Sequence, residues 1–296
     1  MLPKLIVIEG TNASGKSALG VKLAARFNGE IISADSRQVY ERLDLGSGKI
    51  TPEEMDGVPH HLLNVVRPGE FFSMADFQRL SYQAIDGILA RGRVPFLVGG
   101  TGLYVDAVAD GYNLSEKATD LSLRAELETY DTPALYEMLK EKIPDTNIDP
   151  RNRHRVMRML EKLAAGDAQP TGKTPRYTLL KLGVTWPREI LKQRIDERLE
   201  IRLKAGMVDE VKAMLDDGVS EEFLVKLGLE YKYLTWYLTG KIGYEQMVDE
   251  LGNAIKRFAK RQMTWFRRDS RIIWLDMSAD PVAQAEKLIR EFLGDQ

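Results

Sequence analysis

Eight residues near the N-terminus have the types and spacing to hold a phosphate chain. Gly10-Thr11-Asn12-Ala13-Ser14-Gly15-Lys16-Ser17 matches G-x-x-x-x-G-K-[ST]. Glycines at this spacing let backbone N–H groups wrap phosphate oxygens, and Lys16 adds a point charge. The Ser17 hydroxyl is placed to ligate Mg²⁺, and the N-terminus of a following helix favours an anion. The pattern is a nucleotide-binding, ATP-binding signature, but phosphate affinity alone names no reaction. Kinases and NTPases usually carry a second acid on a neighbouring strand to position metal and water. The strand pattern Val94–Val98 ends in Gly99-Gly100, with no acid.

The acid that could sit beside the loop is Asp35, after the run Glu30–Ala34 and before Ser36-Arg37-Gln38. It has two readings: a cap for the next helix, or a base facing a substrate at the carboxyl edge of the sheet, where α/β folds bind ligands. Thr101, after Gly99-Gly100, is open to a helix N-cap reading as well. Two basic stretches remain. Arg151, Arg153, Arg155 and Arg158 share one helical segment, and a solvated face is the usual meaning of such a run. Lys260-Arg261, Arg267-Arg268 and Arg271 are five basic residues within twelve, against one acid. Trp265 and Phe266 interleave with them and read as core, while the cations suit RNA phosphate.

These groups need a scaffold. Lys4–Glu9 reads as a buried strand, Ser17–Phe27 as a helix, Glu30–Ala34 as a second strand, Ala75–Ala90 as a helix and Val94–Val98 as a third strand. Thr101–Ala109 opens another helix. Alternation of this kind predicts a parallel sheet. From about Asn113 to Gly172 the signals are helical only: Ser122–Tyr130, Pro133–Lys142 and Arg151–Ala165. Leu179–Val184 restores a strand, Pro187 to Leu203 is an amphipathic helix, and Ile272–Leu275 is a late strand. The expected class is α/β, a P-loop NTPase-like parallel sheet flanked by helices. Residues 1–112 and 173–296 form the core domain and 113–172 a helical insertion.

Composition narrows the chemistry. The 296 residues are 44% hydrophobic and 29% charged, an ordinary soluble balance. The absence of cysteine excludes disulfides, a thiol nucleophile and thiolate zinc, and three histidines leave little for a metal cluster. No targeting signal and no membrane-length apolar run is visible, so a cytoplasmic location is expected. The net charge of −2 means that nucleic-acid affinity must come from local patches.

Several motifs in order carry a resemblance. GTNASGKS, ISADSRQVY, DLGSGKIT with His60-His61-Leu62, FSMADFQR, VPFLVGGTGLYVDA, Asp149-Pro150 with the helix Arg155–Glu161, and AKRQMTWFRR span most of the chain. Together they resemble the tRNA dimethylallyltransferase (isopentenyltransferase) family in its bacterial form. The resemblance implies transfer of a dimethylallyl group from its diphosphate to N6 of the adenosine 3′-adjacent to the anticodon, in tRNAs reading codons that begin with U. It implies a base flipped into a channel through the core, diphosphate on Gly10–Ser17, Mg²⁺ on Ser17, Asp35 as general base and Thr101 orienting the base. It assigns tRNA contacts to Asp35, Ser36, Arg37, Gln38, Thr101, Arg124, His154, Arg155, Arg158, Lys260, Arg261, Gln262 and Arg267. The insertion is expected to grip the anticodon stem-loop, and the enzyme to be a monomer. The chemistry agrees: neutralised diphosphate is a good leaving group, and an exocyclic amine needs a base.

One departure stands out. The family's R-x-x-G-Y block falls near residue 228, where this chain reads Lys226-Leu227-Gly228-Leu229-Glu230-Tyr231-Lys232. The diphosphate-binding arginine is missing, leaving Lys226 or Lys232 to stand in, though lysine cannot reproduce a bidentate fork. The competing readings are an isopentenyltransferase acting on free adenine nucleotide, a P-loop small-molecule kinase and a non-enzymatic RNA-binding protein. The basic blocks argue against the first two, and Lys16-Ser17 with Asp35 against the third.

Overall fold

The computed structural model describes residues 2–114, 120–166 and 172–294. In chain order, Lys4–Gly10 forms β1, Lys16–Arg26 α1, Gly29–Ala34 β2, Pro52–Met55 α2, His60–His61 β3, Met74–Ala90 α3, Val94–Gly99 β4 and Gly102–Ala109 α4. Leu121–Glu128, Thr132–Lys142 and Arg153–Ala164 are α5, α6 and α7. Then come β5 (Thr178–Thr185), α8 (Arg188–Lys204), α9 (Met207–Asp216), α10 (Glu221–Leu227), α11 (Leu229–Leu238), α12 (Tyr244–Phe266), β6 (Ile273–Asp276) and α13 (Pro281–Leu293).

The sheet order is β3-β2-β4-β1-β5-β6, with every pairing parallel. Helices cover both faces of such a sheet, which is why β1 reads as a continuous apolar run. Its side chains alternate between two cores. Leu5 and Val7 pack with Phe77, Ile85 and Ile88 of α3 and Val105 of α4. Ile6 and Ile8 pack with Leu19 and Leu23 of α1 and Ile289 of α13. A third core joins Ile195 and Leu199 of α8 to Val211, Leu224, Tyr231, Leu251 and Ile255, and it reaches Ala13, Val39 and Leu43.

The chain divides into two compact units, Met1–Gly111 with Pro175–Gln296, and Tyr112–Thr174. The smaller unit has its own core of Leu127, Leu135, Leu139, Val156 and Leu160. The expected insertion, 113–172, includes 115–119 and 167–171, which lie outside the described residues. Arg153 donates to the carbonyls of Tyr130 (2.6 Å) and Glu128 (3.0 Å), satisfying acceptors that the end of α5 leaves open.

Several elements are absent from the sequence pattern above. His60–His61 pairs with Ile31 and Ile32 as a two-residue edge strand. The helices α9 to α11 are short, and the segment 207–266 is entirely helical apart from its turns.

One buried ion cluster ties the sheet to α12. Lys181 of β5 is 1% exposed and lies 2.7 Å from Asp269, 3.2 Å from Glu9 and 3.7 Å from Asp106. Asp106 also accepts the Trp265 indole N–H at 2.9 Å. Burial pushes the Glu9 carboxyl up to about 7 against the pull of Lys181. Burial also works against the ionised Asp269, yet Arg271 and Lys181 hold its carboxyl below the usual range. Removing the cation leaves carboxylates facing one another in a low dielectric, so Lys181→Met should cost about 3–5 kcal/mol. That corresponds to a melting temperature lower by roughly 10 °C in a unit of this size. The deficit should shrink on acidification, because protonation removes the repulsion, and melts at pH 7.5 and pH 5 would show it.

Candidate functional site

Three loops meet at the carboxyl edge of β1, β4 and β2, adjacent strands carrying the phosphate loop, Gly99-Gly100-Thr101 and Asp35 respectively. The chain crosses from one side of β1 to the other here, the switch point at which open α/β sheets bind ligands. The loop backbone is held in an unusual shape. Gly15 has φ +87° and Ala13 has φ +60°, left-handed values that cost an alanine energy. Neighbours keep it there: the Trp186 indole donates to Ser14 O at 2.9 Å, and Arg194 Nε donates to Ala13 O at 3.0 Å while stacking on Trp186. With those carbonyls engaged from behind, the loop remains available to cradle an anion. Lys16 donates to Thr11 O at 3.3 Å. Burial pushes the Lys16 ammonium down to about 8, with Asp35 opposing this and Arg198 and Arg37 adding to it.

A cavity opens over this loop, lined by Asn12, Ala13, Lys16, Ser17, Asp35, Arg198 and their neighbours. A recess shares Lys16, Ser17 and Asp35 and adds His60 with the apolar Ile31, Ile50 and Val98. The phosphate loop and the candidate base therefore face common space.

Asp35 caps no helix. Its Oδ1 accepts the Arg37 N–H at 2.9 Å within a turn. Thr101 precedes α4 but makes no side-chain cap there. Its hydroxyl oxygen accepts the Ser36 N–H at 3.1 Å, and the hydroxyl lies 3.4 Å from Ser36 Oγ. Thr101 thus holds the turn that carries Asp35, and it does not itself line either cavity.

Three residues that the resemblance assigns to RNA bond within the protein. Arg37 is turned inward, 2.6 Å from Glu230 of α11, and its guanidinium lies 5.6 Å from the Phe258 ring centre. Gln38 accepts from the Ser33 hydroxyl at 3.0 Å and donates to Gly48 O at 3.3 Å. Gln262 is buried at 7% exposure: its Oε1 accepts the Asn12 N–H at 3.0 Å and its Nε2 donates to Gly100 O at 2.8 Å. All three side chains satisfy internal partners because they sit where loops must be joined. Gln262 connects α12 to both the phosphate loop and the Thr101 loop.

In the smaller unit, Arg124 (2.7 Å) and Arg158 (3.0 Å) share the buried Glu161. Both guanidiniums are thereby partly neutralised. Arg151 lies 3.2 Å from Asp149. His154 and Arg155 are exposed in the first turn of α7, and Lys260, Arg261 and Arg267 are exposed towards the end of α12. Trp265 is half-buried against Gly102, where an added Cβ would come within 2.4 Å of its ring, and Phe266 is core.

Lys226 and Lys232 do not line the cavity. Lys226 lies 2.8 Å from the exposed Glu222, and Lys232 stacks 4.4 Å from the Trp236 ring centre. The cavity instead receives Arg198 and Arg202 from α8. The signal was present in the spacing: Arg194, Arg198 and Arg202 recur every fourth residue, one stripe of a helix. Periodicity marks such a stripe without saying what it faces.

Gln262→Ala separates joining from RNA contact. Loss of two buried hydrogen bonds to the loops should weaken inorganic pyrophosphate binding by roughly tenfold. RNA affinity should stay near wild type. The reverse pattern, measured by calorimetry and filter binding, would restore Gln262 to the RNA surface.

A family model described as IPP transferase matches residues 38–269. The tRNA dimethylallyltransferase 2 of Shewanella sediminis is 44% identical over 295 residues, 97% of this chain and 98% of that protein. The tRNA dimethylallyltransferase 1 of Geotalea daltonii is 44% identical over 292 residues, 96% and 94% of the two chains. The crystal structure of the tRNA isopentenylpyrophosphate transferase from Bacillus halodurans is similar at a TM-score of 0.75 and 39% identity, covering 99% of this chain and 96% of that one. A eukaryotic dimethylallyltransferase acting on tRNA reaches a TM-score of 0.83 at 27% identity, covering 99% and 80%. With the family match extending over most of its length, this chain belongs to the tRNA dimethylallyltransferase (IPP transferase) family.

Proposed function

We propose that this protein transfers a dimethylallyl group from dimethylallyl diphosphate to N6 of the adenosine 3′-adjacent to the anticodon, in tRNAs reading codons that begin with U. The observation that carries the reading is that Asp35, Lys16 and Ser17 line the same cavity over the phosphate loop. The diphosphate binds to Gly10–Ser17 and Lys16, leaving its prenyl carbon towards Asp35. As the adenosine amine forms the N–C bond, the C–O bond to diphosphate breaks and Asp35 takes the amine proton. Thr101 acts through Ser36 by fixing the turn that aims Asp35. The products are prenylated adenosine, diphosphate and the protonated carboxyl.

Mg²⁺ fits the donor set. A serine hydroxyl and a diphosphate are hard oxygen donors of the kind this ion takes, and Ser17 would supply the protein side. When bound, it would neutralise charge on the leaving group.

The anticodon stem-loop is the partner we assign to the smaller unit. His154 and Arg155 stand at the N-terminus of α7, with no acid in its first turn. Cations there oppose the helix dipole locally, and together with it they attract phosphate. Lys260, Arg261 and Arg267 of the larger unit supply further phosphate contacts. We place the enzyme in the cytoplasm as a monomer.

Labelled dimethylallyl diphosphate should mark tRNA and leave AMP unlabelled when either is incubated with enzyme and Mg²⁺; labelling of AMP alone would sink this reading. Asp35→Asn keeps an oxygen for the Arg37 N–H but cannot accept a proton. Its single-turnover transfer should fall roughly 10²–10⁴-fold with both substrates bound. A rate within about threefold of wild type would reject the base assignment.

Arg155→Ala should weaken tRNA binding and lower the slope of log affinity against log salt by about 1, the signature of one lost phosphate contact. An unchanged slope in the folded variant would exclude Arg155 from the RNA surface.

A further inference from the structure

The cavity over the phosphate loop has a second rim, the turn at residues 44–48, whose Ser47 and Gly48 line it beside Lys16 and Ser17. This turn belongs to no helix or strand. The Lys49 N–H donates to Asp44 O at 2.9 Å and the Gly48 N–H to Leu45 O at 3.1 Å, which closes it on itself. The amides at its start need partners from elsewhere.

α9 supplies them. Glu210, in its first turn, accepts three consecutive backbone N–H groups, from Asp44 at 3.0 Å, Leu45 at 2.6 Å and Gly46 at 2.9 Å. The Tyr231 hydroxyl donates to the same carboxylate at 3.2 Å. Tyr231 is fully buried, and a Cβ added at Gly46 would come within 2.4 Å of its ring. No lysine or arginine pairs with Glu210 among the described residues. Amides turned together onto one anion form a cradle of the kind that binds free anions. Here the chain fills its own cradle. The carbonyls of the turn go to other partners: Leu45 O and Gly46 O accept from Arg202, and Gly48 O accepts from the Gln38 side chain at 3.3 Å. A second tie between α9 and this region, Arg42 to Asp217 at 2.5 Å, joins two exposed side chains and contributes little.

We propose that Glu210 is a positioning residue for the diphosphate site. It sets the peptide planes of the 44–48 turn, and with them the cavity rim, without lining the cavity itself. Bonds from amides to a carboxylate are charge-assisted, so they hold a turn more firmly than neutral bonds do. The assignment rests on the diphosphate reading of the phosphate loop, but not on tRNA as the acceptor.

Glu210→Gln keeps the size but exchanges one acceptor oxygen for an NH₂ group that faces N–H donors. Binding of inorganic pyrophosphate with Mg²⁺ to the full chain should weaken roughly tenfold by calorimetry. In prenyl transfer the KM for the diphosphate should rise in step. The KM for tRNA and the single-turnover rate at saturating substrates should hold. Amide exchange at Asp44, Leu45 and Gly46 should quicken while the amides of β1 stay protected. Glu210→Asp keeps the charge on a shorter side chain and should fall between wild type and Glu210→Gln. Pyrophosphate binding by a folded Glu210→Gln within about threefold of wild type would overturn the proposal, given that expected loss. So would a fall in the saturated rate with the diphosphate KM unchanged. Should Glu210→Gln not fold, Glu210→Asp carries the test, and a diphosphate KM equal to wild type would overturn the assignment. If wild-type enzyme binds pyrophosphate but labels no tRNA, the functional reading fails while the pyrophosphate comparison remains decisive.

Discussion

A loop that binds an anion through its backbone must expose N–H groups and hide carbonyls, and here Ala13 alone gives it an anchor in a hydrophobic core. In this protein the hiding is done by hydrogen bonds from behind. Trp186 takes Ser14 O, Arg194 takes Ala13 O, and Gln262 takes the Asn12 N–H. These partners come from just after β5, from α8 and from α12, so the rest of the unit is arranged to bring them to the end of β1. Burial of β1 on both faces makes that end rigid.

The same hydrogen bonds connect the phosphate loop to the candidate base. Gln262 joins Asn12 to Gly100, the next residue Thr101 takes the Ser36 N–H, and Asp35 closes the turn onto Arg37. Loops from three strands are thus joined by one chain of hydrogen bonds. Precision at the level of a hydrogen bond is what bringing a nucleophile to an activated carbon requires.

Two of the buried charge groups lie in the larger unit around Lys181 and Glu230. Lys181 gathers Glu9, Asp106 and Asp269 beneath the sheet edge. Glu230 gathers Arg37 and Arg202 at the cavity wall. Burial pushes the Glu230 carboxyl up, but Arg37 and Arg202 outweigh it and keep it below the usual range. With its charge spent on those two, Lys16 and Arg198 are left facing Asp35. The smaller unit repeats the pattern once, with Arg124 and Arg158 on Glu161.

Local pattern was enough for the strands β1, β2, β4 and β5, for α1, α3 and α8, and for the phosphate loop, because each depends on residues within a few positions of one another. Strand alternation and the G-x-x-x-x-G-K-S spacing are short-range signals. Asp35 was legible as a strand-edge acid for the same reason. What the sequence by itself could not decide was the direction in which polar side chains point. Arg37, Gln38 and Gln262 sit in motifs rich in hydrogen-bonding residues, and the resemblance assigns them to tRNA. Their side chains bond within the protein because Glu230, Gly48 and Gly100 arrive beside them. Arg198 read as one cation of an amphipathic helix, and it reaches the cavity only because α8 packs against the phosphate loop. Long-range contacts of this kind leave no local periodicity, so only the tertiary structure could decide which cations face an anion and which are held by carboxylates.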